Sequence, residues 1–307
     1  MRIVFAGTPE AAVPSLRRLA ASAHEIAAVV TRGDAPLGRK RRLTPSPIAQ
    51  AAAELGLPTI KADRLATEAT QRIAALKPDL GVIVAYGGLV REPLLSTPLH
   101  GWINLHFSLL PRWRGAAPVQ RALMAGDAET GAAVFQLVAE LDAGDVFEEI
   151  RHLIRAGETA GDLLATLADD GADLLARVVD GIAEGTARAV PQAGEVTLAP
   201  KLTLDDGLLR WDDPRDALLS RLRGVTPEPG AHTTIDGTRL KVIAAGAAPI
   251  DAPRLAPGVL AVHDKAVLAG TATDPVELVT VQPAGKGAMA AGDWWRGLRT
   301  DRPELGR

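Results

Sequence analysis

The chain has 307 residues, of which 47% are hydrophobic and only 3% are aromatic, and this length fits two domains of about 100–200 residues each. Its formal net charge of −3 excludes a polyanion-binding surface spread over the whole chain, so a nucleic-acid contact would need a local cluster of positive charge. The sequence has no cysteine, which excludes disulfides, thiolate nucleophiles and metals held by cysteine.

The N-terminus and the hydropathy of the chain predict where the protein acts. The segment RIVFA, from Arg2, has the pattern of a short buried strand and not that of a signal peptide. The sequence contains no apolar run of about 18 residues, the length that a membrane-spanning helix needs. We therefore expect a cytoplasmic protein that makes no membrane contact, and we expect it to be a monomer.

Strand patterns and helix patterns alternate through the first part of the chain. In chain order, strands are predicted over residues 2–6, 25–30, 79–85, 101–107, 132–138 and 145–152. Helices are predicted over about 9–21, 46–55, 70–76, 117–125 and 159–184, and a polar loop over 31–45. Thr8 is expected to cap the first helix, with Pro9 in its first position.

This alternation predicts an α/β fold with a doubly wound, mostly parallel, Rossmann-like sheet over residues 1–188. Residues 189–204 lack helical period and are expected to be a linker. Short strand patterns follow in residues 205–307, and HTTI-DG-TRLKV within them is typical of a β-hairpin. We expect this second domain to be a small β-barrel of the OB-like kind.

The strand predicted at 101–107 carries two polar residues. Side chains alternate along a strand, so Asn104 and His106 share one face near its carboxyl end. They could be two core residues whose polar groups are hydrogen-bonded within the protein. However, the carboxyl ends of parallel strands are also where such sheets bind ligands. A polar segment, AELDAGD, follows a later strand, and either Asp142 or Asp145 in it could approach His106. A carboxylate there would raise the pKa of the imidazole.

Asn104, His106 and one of these aspartates form a plausible acyl-transfer set: an amide donor, an imidazolium donor and a proton acceptor that works directly or through water. No serine or cysteine lies in an activating motif, and Ser108 is not part of a G-x-S-x-G turn. The sequence therefore favours direct attack by a substrate amine over a covalent enzyme intermediate. The histidines show no metal-ligand spacing, so no metal is expected.

Two groups of arginines accompany this set. The run RKRR comprises Arg39, Lys40, Arg41 and Arg42; it is either a solvated loop or a contact for phosphates. Arg112 and Arg114 flank Trp113, where they either pack in the loop, through a cation–π contact, or bind a substrate.

The segment INLHFSLLPRWRGAAPVQRALMAGDAETG at residues 103–131, followed by LDAGD, closely resembles the signature of the 10-formyltetrahydrofolate-dependent formyltransferases. Four further segments narrow the resemblance to the members of this family that formylate methionine on charged initiator tRNA. These segments are RIVFAGTPE, RKRRLTPSP, VAYG and VQPAGKGAM. The resemblance covers nearly the whole chain.

This resemblance implies specific roles. The family's catalytic residues fall on Asn104, His106 and Asp142, which decides between the two aspartates. Its folate contacts fall on Ser108, Leu109, Leu110, Pro111, Val84, Ala85, Tyr86 and Gly87. The Arg39–Arg42 run matches the family's tRNA-binding loop. By this resemblance, the methionine amine attacks the formyl carbon of 10-formyltetrahydrofolate, and Asn104 and His106 donate to the resulting tetrahedral oxyanion. Asp142 keeps His106 charged and helps to move the proton.

Two other classes of function are considered. One is folate-dependent formyl transfer to a nucleotide-sugar amine, a ribonucleotide amine or water. The other is a non-catalytic RNA-binding protein on the same scaffold. The basic run and the β-rich C-terminal part favour tRNA as the formyl acceptor over these other acceptors. The Asn–His–Asp set argues against a protein that only binds RNA, because binding alone does not require all three residues.

Overall fold

The computed structural model describes residues 1–38, 41–298 and 303–306; of Leu37, only the backbone is described. The chain divides into two compact units. The first comprises Met1–Pro118, Glu129–Leu153 and Leu164–Ala199, and the second comprises Val119–Ala128, Ile154–Leu163 and Pro200–Arg307. The predicted domain limits at residues 188 and 204 stay a prediction.

The strands of the first unit are, in chain order, β1 (Arg2–Gly7), β2 (Glu25–Thr31), β3 (Ala35–Leu37), β4 (Arg42–Thr44), β5 (Thr59–Lys61), β6 (Leu80–Val84), β7 (Trp102–His106), β8 (Arg114–Gly115), β9 (Glu129–Gln136), β10 (Val146–Leu153) and β11 (Leu198–Ala199). The helices of the described chain are α1 (Val13–Ala20), α2 (Pro47–Glu54), α3 (Thr67–Ala75), α4 (Pro118–Ala125), α5 (Ala160–Glu184), α6 (Arg215–Gly224) and α7 (Ala291–Arg296). None of these helices combines the length and the apolarity needed to cross a membrane.

The main sheet of the first unit has the order β10-β9-β7-β6-β1-β2-β5. Its neighbouring strands from β7 through β6, β1 and β2 to β5 pair in parallel, whereas β9 and β10 run antiparallel. The central strands β1 and β6 are buried along almost their whole length, because both faces of a parallel sheet are covered. The mostly parallel α/β fold is therefore confirmed.

The starts of the first two helices differ from the prediction. Ser46, predicted as the first helical residue, instead caps α2, since its hydroxyl oxygen accepts a hydrogen bond from the backbone N–H of Ala49 at 3.0 Å. The cap predicted at Thr8 is wrong: its hydroxyl donates to the carbonyl of Tyr86 at 3.2 Å, and α1 begins only at Val13 after a short 3-10 helix. The hydroxyl of Thr8 therefore bonds to the turn after β6, and not to the start of the helix that follows it.

Two segments predicted as irregular contain strands. The polar loop at 31–45 includes an antiparallel hairpin of β3 and β4, with Pro36 opposite Leu43. The linker contains β11, which pairs in parallel with β8, placing Leu198 beside Arg114. Composition alone did not reveal these three strands because each has only two or three residues, most of them exposed.

The second unit contains β12 (His232–Ile235), β13 (Thr238–Ala247), β14 (Leu260–His263), β15 (Ala266–Ala269), β16 (Val276–Pro283), β17 (Met289–Ala290) and β18 (Leu305–Gly306). Its sheet has the order β14-β15-β16-β13-β12-β18, with β17 added beside β16. Backbone bonds from Leu260 to Pro303 and from Leu305 to Gly258 join the two end strands. The sheet thus closes on itself as an antiparallel barrel, as predicted.

The Asp236-Gly237 turn between β12 and β13 is the hairpin that the sequence predicts. Both residues have positive φ, 48° and 71°, as a two-residue turn of this kind requires. Trp211 lies fully buried in the core of this unit, and its indole N–H donates to the hydroxyl of Thr233 at 3.0 Å. Trp211 is therefore a core residue of this unit.

Candidate active site

The carboxyl ends of β6 and β7 form the edge at which the candidate site lies. The two strands pair in parallel with Ile83 beside Asn104, so the residues after β6 and the end of β7 meet at the same edge. The ring of Trp102 lies over position 81 of β6, and only glycine leaves room for it there, because a Cβ would lie 2.1 Å from the ring. Packing at the start of β7 thus fixes the strand that carries Asn104 and His106.

His106 is buried at the end of β7, with only 6% of its side chain exposed. Its Nε2 lies 2.9 Å from the backbone carbonyl of Trp113, and its Nδ1 lies 3.9 Å from Oδ2 of Asp142. A carbonyl can only accept, so Nε2 carries the hydrogen and donates it. In the neutral ring, Nδ1 is then a free proton acceptor that faces the carboxylate.

Burial lowers the pKa of His106 below its ordinary value of 6.5. The nearby carboxylate of Asp142 and the carbonyl of Trp113 both act in the opposite direction, but they do not outweigh the loss of water around the ring. The expected raising effect of Asp142 is present, yet the expectation of a charged imidazole is wrong in its net direction. His106 is therefore neutral at pH 7.

The ring of His106 is expected to titrate below pH 6.5 and to carry its neutral-state hydrogen on Nε2. Nitrogen-15 NMR of the imidazole rings over pH 5–8 would show both properties, and a His106→Gln variant would identify its signals among those of the six histidines. Because Asp142 raises the pKa of His106, an Asp142→Asn variant should shift that titration to still lower pH. A midpoint above 6.5, or a hydrogen on Nδ1, would contradict this electrostatic account.

Asp142 is held at the site through both its side chain and its backbone. Its Oδ2 accepts a hydrogen bond from the backbone N–H of Gly115 at 2.8 Å. Its carbonyl accepts one from Nε2 of Gln192, also at 2.8 Å. The carboxylate is mostly buried, with 12% of the side chain exposed, whereas Asp145 is exposed to solvent. The structure therefore brings Asp142 to His106.

The backbone around the site adopts conformations that residues other than glycine rarely take. Ala85, Trp113 and Asp142 have φ values of 48°, 62° and 46°. Each such conformation costs on the order of 1–3 kcal/mol, which the surrounding contacts must offset. Such residues are known to cluster at active sites and ligand-binding turns, so this edge of the sheet is a candidate functional site.

Asn104 has a buried amide oxygen, Oδ1, with no hydrogen-bond partner among the described residues. An unpartnered buried polar atom costs about 1–3 kcal/mol. Half a turn of the amide group exchanges its oxygen with its N–H donors, so either end can serve a ligand at this point. Asn104 thus has unused hydrogen-bonding capacity beside the His106–Asp142 pair.

The segment Ser108–Pro111, expected to contact folate, directs side chains into the protein. Ser108 is fully buried and donates to the carbonyl of Arg112 at 2.6 Å. Leu110 packs in a core cluster with Ala133 and Phe135. A ligand contact from this segment would therefore come mainly through its backbone, and the predicted folate contacts at Ser108, Leu109, Leu110 and Pro111 stay a prediction.

The turn Val84–Gly87 exposes more backbone to a ligand than the segment Ser108–Pro111 does. Val84 and Tyr86 are buried, and the hydroxyl of Tyr86 donates to the carbonyl of Ala62 at 2.5 Å. Ala85 and Gly87 between and after them are exposed. The two buried side chains anchor the turn, and the exposed positions present backbone beside the end of β7.

The basic run is only partly described. Arg39 and Lys40 lie outside the described residues. Arg41 and Arg42 are exposed at the turn and start of the β3–β4 hairpin, with φ of 45° at Arg41. These two positive side chains face solvent, and their predicted binding of tRNA stays a prediction.

The arginines on either side of Trp113 occupy structural positions. The guanidinium of Arg112 lies 5.5 Å from the ring centroid of Trp113, a cation–π contact. The guanidinium of Arg114 donates twice to Oε1 of Gln192, at 2.6 and 3.2 Å. Both residues therefore make contacts within the protein, and the alternative, that they bind a substrate, stays a prediction.

Three contributors to the site are missing from the sequence-based set: the carbonyl of Trp113, the N–H of Gly115 and the side chain of Gln192. The first two are backbone groups, which carry no signal in the residue type. Gln192 lies in the segment predicted as a linker, about 50 residues beyond Asp142, and nothing in its neighbours suggests a contact with that loop.

The absence of a metal stays a prediction. Among the described residues, Asp251, His263 and Asp264 of the second unit each place one potential ligand atom within 4.8 Å of the others. Both carboxylates are exposed, and the three side chains form ion pairs of the ordinary surface kind at 3.5 and 3.8 Å.

Comparison with known proteins places the chain in a family. Residues 1–179 match the model of the formyl transferase family, and residues 201–299 match that of the formyl transferase C-terminal domain. The chain is 64% identical over 300 residues to a methionyl-tRNA formyltransferase of Clavibacter sepedonicus, covering 98% of both chains. It is 64% identical over 297 residues to that of Leifsonia xyli subsp. xyli, covering 97% of both.

A solved structure shares the fold at low sequence identity. It is that of WlaRD, a sugar 3N-formyl transferase crystallised in the presence of dTDP and 5-N-formyl-THF, with a TM-score of 0.69 and 14% identity over 94% of this chain and 99% of that one. The two full-length relatives and both family models show that the chain belongs to the formyl transferase family, among its methionyl-tRNA formyltransferases.

Proposed function

We propose that the chain transfers the formyl group of 10-formyltetrahydrofolate to the α-amine of methionine on charged initiator tRNA, for translation initiation. The observation that carries the chemistry is the pairing of His106 with Asp142 at 3.9 Å at the carboxyl end of β7, where Nδ1 of the ring is a free proton acceptor. The full-length similarity to methionyl-tRNA formyltransferases supports the choice of acceptor. We further infer that it acts in the cytoplasm as a monomer.

The edge of the sheet fits a folate substrate. A pterin ring has hydrogen-bond donors and acceptors along its rim, and exposed backbone groups are suited to recognise such a rim. Exposed backbone is present at Ala85 and Gly87, beside the unpartnered amide oxygen of Asn104. In the proposed complex, residues 84–87 and the backbone of 108–111 hold the folate so that its formyl group faces Asn104 and His106.

Asn104 is proposed to stabilise the oxygen of the formyl group as negative charge develops on it. For this role, the amide turns its N–H toward that oxygen. A pre-positioned donor of this kind contributes about 2–4 kcal/mol to the transition state. Because the amide oxygen of Asn104 has no partner among the described residues, that oxygen loses no hydrogen bond when the amide turns.

His106 is proposed to move one proton. The reaction removes a proton from the attacking amine and places one on the leaving folate nitrogen, while an N–C bond forms and the former N–C bond breaks. Nδ1 of the neutral ring accepts the first proton, and the imidazolium then supplies the second. Asp142 stabilises the charged ring between these steps, because its carboxylate lies 3.9 Å away. The charged imidazole of the sequence-based hypothesis is thus a transient state, in which Nδ1 can also donate to the oxyanion.

Direct attack by the amine agrees with the residues present at the site. The chain has no cysteine, and the hydroxyl of Ser108 is buried and already donates to the carbonyl of Arg112. A serine held in that way lacks both the exposure and the adjacent base that a nucleophile needs. The formyl group is therefore proposed to pass to the amine in one displacement.

Replacing Arg41 and Arg42 together with alanine is expected to raise the KM for tRNA and to flatten its dependence on salt. If each arginine contacts one phosphate, the slope of log affinity against log salt should fall by about 1 per residue. The KM for the folate substrate should stay unchanged. The exposed Arg72 of α3 provides a matched control, since Arg72→Ala removes an equal charge from another surface. An unchanged salt slope in the double variant would remove these residues from the tRNA contact.

The acceptor is tested by supplying 10-formyltetrahydrofolate with charged initiator tRNA, charged elongator tRNA, free methionine or an amino sugar nucleotide. We expect rapid formylation of the initiator and much slower reaction with free methionine. Faster transfer to the sugar nucleotide, or hydrolysis of the donor with no acceptor formylated, would overturn the proposed function.

A further inference from the structure

We propose that Gln192 is a positioning residue for Asp142, and that the segment predicted as a linker is in this way part of the catalytic machinery. This inference rests on the proposed function, because it concerns the residues that carry out formyl transfer. All groups that it involves belong to the first unit.

The side-chain amide of Gln192 is fully used in fixing the site. Both of its N–H donors are spent on backbone carbonyls, those of Asp142 and Gly144, each at 2.8 Å. Its Oε1 accepts from Arg114 at 2.6 and 3.2 Å. Since both N–H donors and the oxygen of the amide have partners, the orientation of the amide is determined. The amide thereby links two chain segments.

These two segments are the ones that orient the proton-transfer pair. The loop between β9 and β10 carries the carboxylate of Asp142. The segment 113–115 supplies the carbonyl that fixes the ring of His106 and the N–H of Gly115 that binds Asp142. Gln192 joins the first segment to the second through Arg114, so it sets the carboxylate relative to the ring.

The loop that Gln192 holds needs such support. Asp142 has a φ of 46°, in the left-handed region that favours glycine. At Gly144, a Cβ would lie 1.8 Å from the carbonyl oxygen of Gln136, so the loop also passes very close to the sheet. Two hydrogen bonds from one side chain to this short stretch offset the cost of the conformation and limit its movement.

A second set of contacts ties the same stretch of chain to the site. The hydroxyl oxygen of Thr197 accepts from the backbone N–H of Trp113 at 2.9 Å, and β11 pairs with β8 immediately after it. The segment from Gln192 to Ala199 is therefore attached at both ends to residues 113–115. Its contacts are directed at the backbone that orients His106 and Asp142.

The test replaces Gln192 with methionine, which has nearly the same length but no amide. Losing the bonds should let the carboxylate shift, and a misplacement of about 1 Å can cost about 10²-fold in rate. We expect kcat to fall about 10²-fold, with little change in the KM for either substrate. The matched control is Gln136→Met, whose amide donates to the carbonyl of Trp102 at the opposite end of β7 from His106.

A readout beyond activity separates positioning from general stability. Asp142 raises the pKa of His106, so a carboxylate that moves away should let the titration of the ring shift to lower pH in Gln192→Met but not in Gln136→Met. If the methionine variant does not fold, Gln192→Asn takes its place. It keeps an amide that is too short to reach both carbonyls, and it should also shift the titration of His106 to lower pH.

The results distinguish this inference from the proposed function. If folded Gln192 variants retain the unaltered kcat and the unaltered titration of His106, the positioning role is wrong, while formyl transfer by the unaltered chain still stands. An equal loss in the Gln136 control would also overturn it, because the effect would then be one of general stability. If the unaltered chain transfers no formyl group, the proposed function fails first.

Discussion

Asp142→Asn is expected to lower kcat for formyl transfer by about 10²–10⁴-fold, the range typical of a lost acid–base contribution. The substitution keeps the size of the side chain and an oxygen that can still accept from the N–H of Gly115, so the loop should hold its position. What it removes is the negative charge 3.9 Å from Nδ1 of His106. The imidazolium that forms during the reaction would then lack its stabilising partner.

The KM for each substrate should change little in this variant, because the charge is needed in the transition state more than in the bound state. Asp145→Asn provides the control: it changes an exposed carboxylate of the same loop and should leave kcat within about twofold of the unaltered chain, as surface substitutions usually do. Near-normal turnover in Asp142→Asn would remove Asp142 from the proton path.

The second large effect is expected from His106→Ala, which should lower kcat by about 10³-fold or more. The ring both accepts the proton of the amine and supplies one to the leaving nitrogen, so its removal disables two steps. Because the side chain is 6% exposed, alanine leaves a cavity at the end of β7. Added imidazole is small enough to enter such a cavity and should restore part of the activity.

His100→Gln is the matched control for that variant, since His100 is exposed and precedes β7, whereas His106 ends it. It should leave activity unchanged. A His106→Ala enzyme with more than about a tenth of the normal kcat, or one whose loss imidazole cannot reduce although the protein is folded, would argue that the ring only packs against Phe135 and Trp113.

The elements that could be predicted from sequence are those whose signal is local. Alternation along β7 places Asn104 and His106 on one face, because the side-chain period of a strand is fixed. The apolar helical pattern predicted from residue 46 is observed as α2, and Ser46 caps it. The Asp236-Gly237 pair specifies its turn by backbone conformation alone. In each case, the residue type and its neighbours along the chain determine the outcome.

The parts that could not be predicted depend on contacts between distant segments. Thr8 has the chemistry of a helix cap, but the carbonyl of Tyr86 is the partner that the fold brings to it. Gln192 reaches Asp142 across about 50 residues of sequence, and the Trp113 carbonyl that fixes the His106 ring is a backbone group with no residue signature. The choice of Asp142 over Asp145 likewise required either the resemblance or the structure.

The ionisation of His106 was missed for a related reason. From sequence, a nearby carboxylate is the visible influence, and it predicts a raised pKa. The depth to which the ring is buried follows only from packing by β9, the 113–115 segment and the rest of the sheet. That burial is the larger effect, and it reverses the net direction. The consequence is a change of role, from a resting cation to a neutral acceptor.

The central claim is that Asn104, His106 and Asp142 act as one catalytic unit on the formyl group. The most direct test is the single-turnover rate of transfer to charged initiator tRNA in Asn104→Ala, His106→Ala, Asp142→Asn and the triple variant. Residues that act as a unit give losses that do not multiply, so we expect the triple variant to be about as slow as the slowest single variant. Losses that multiply across the three sites, or a single variant with the full rate, would contradict the account.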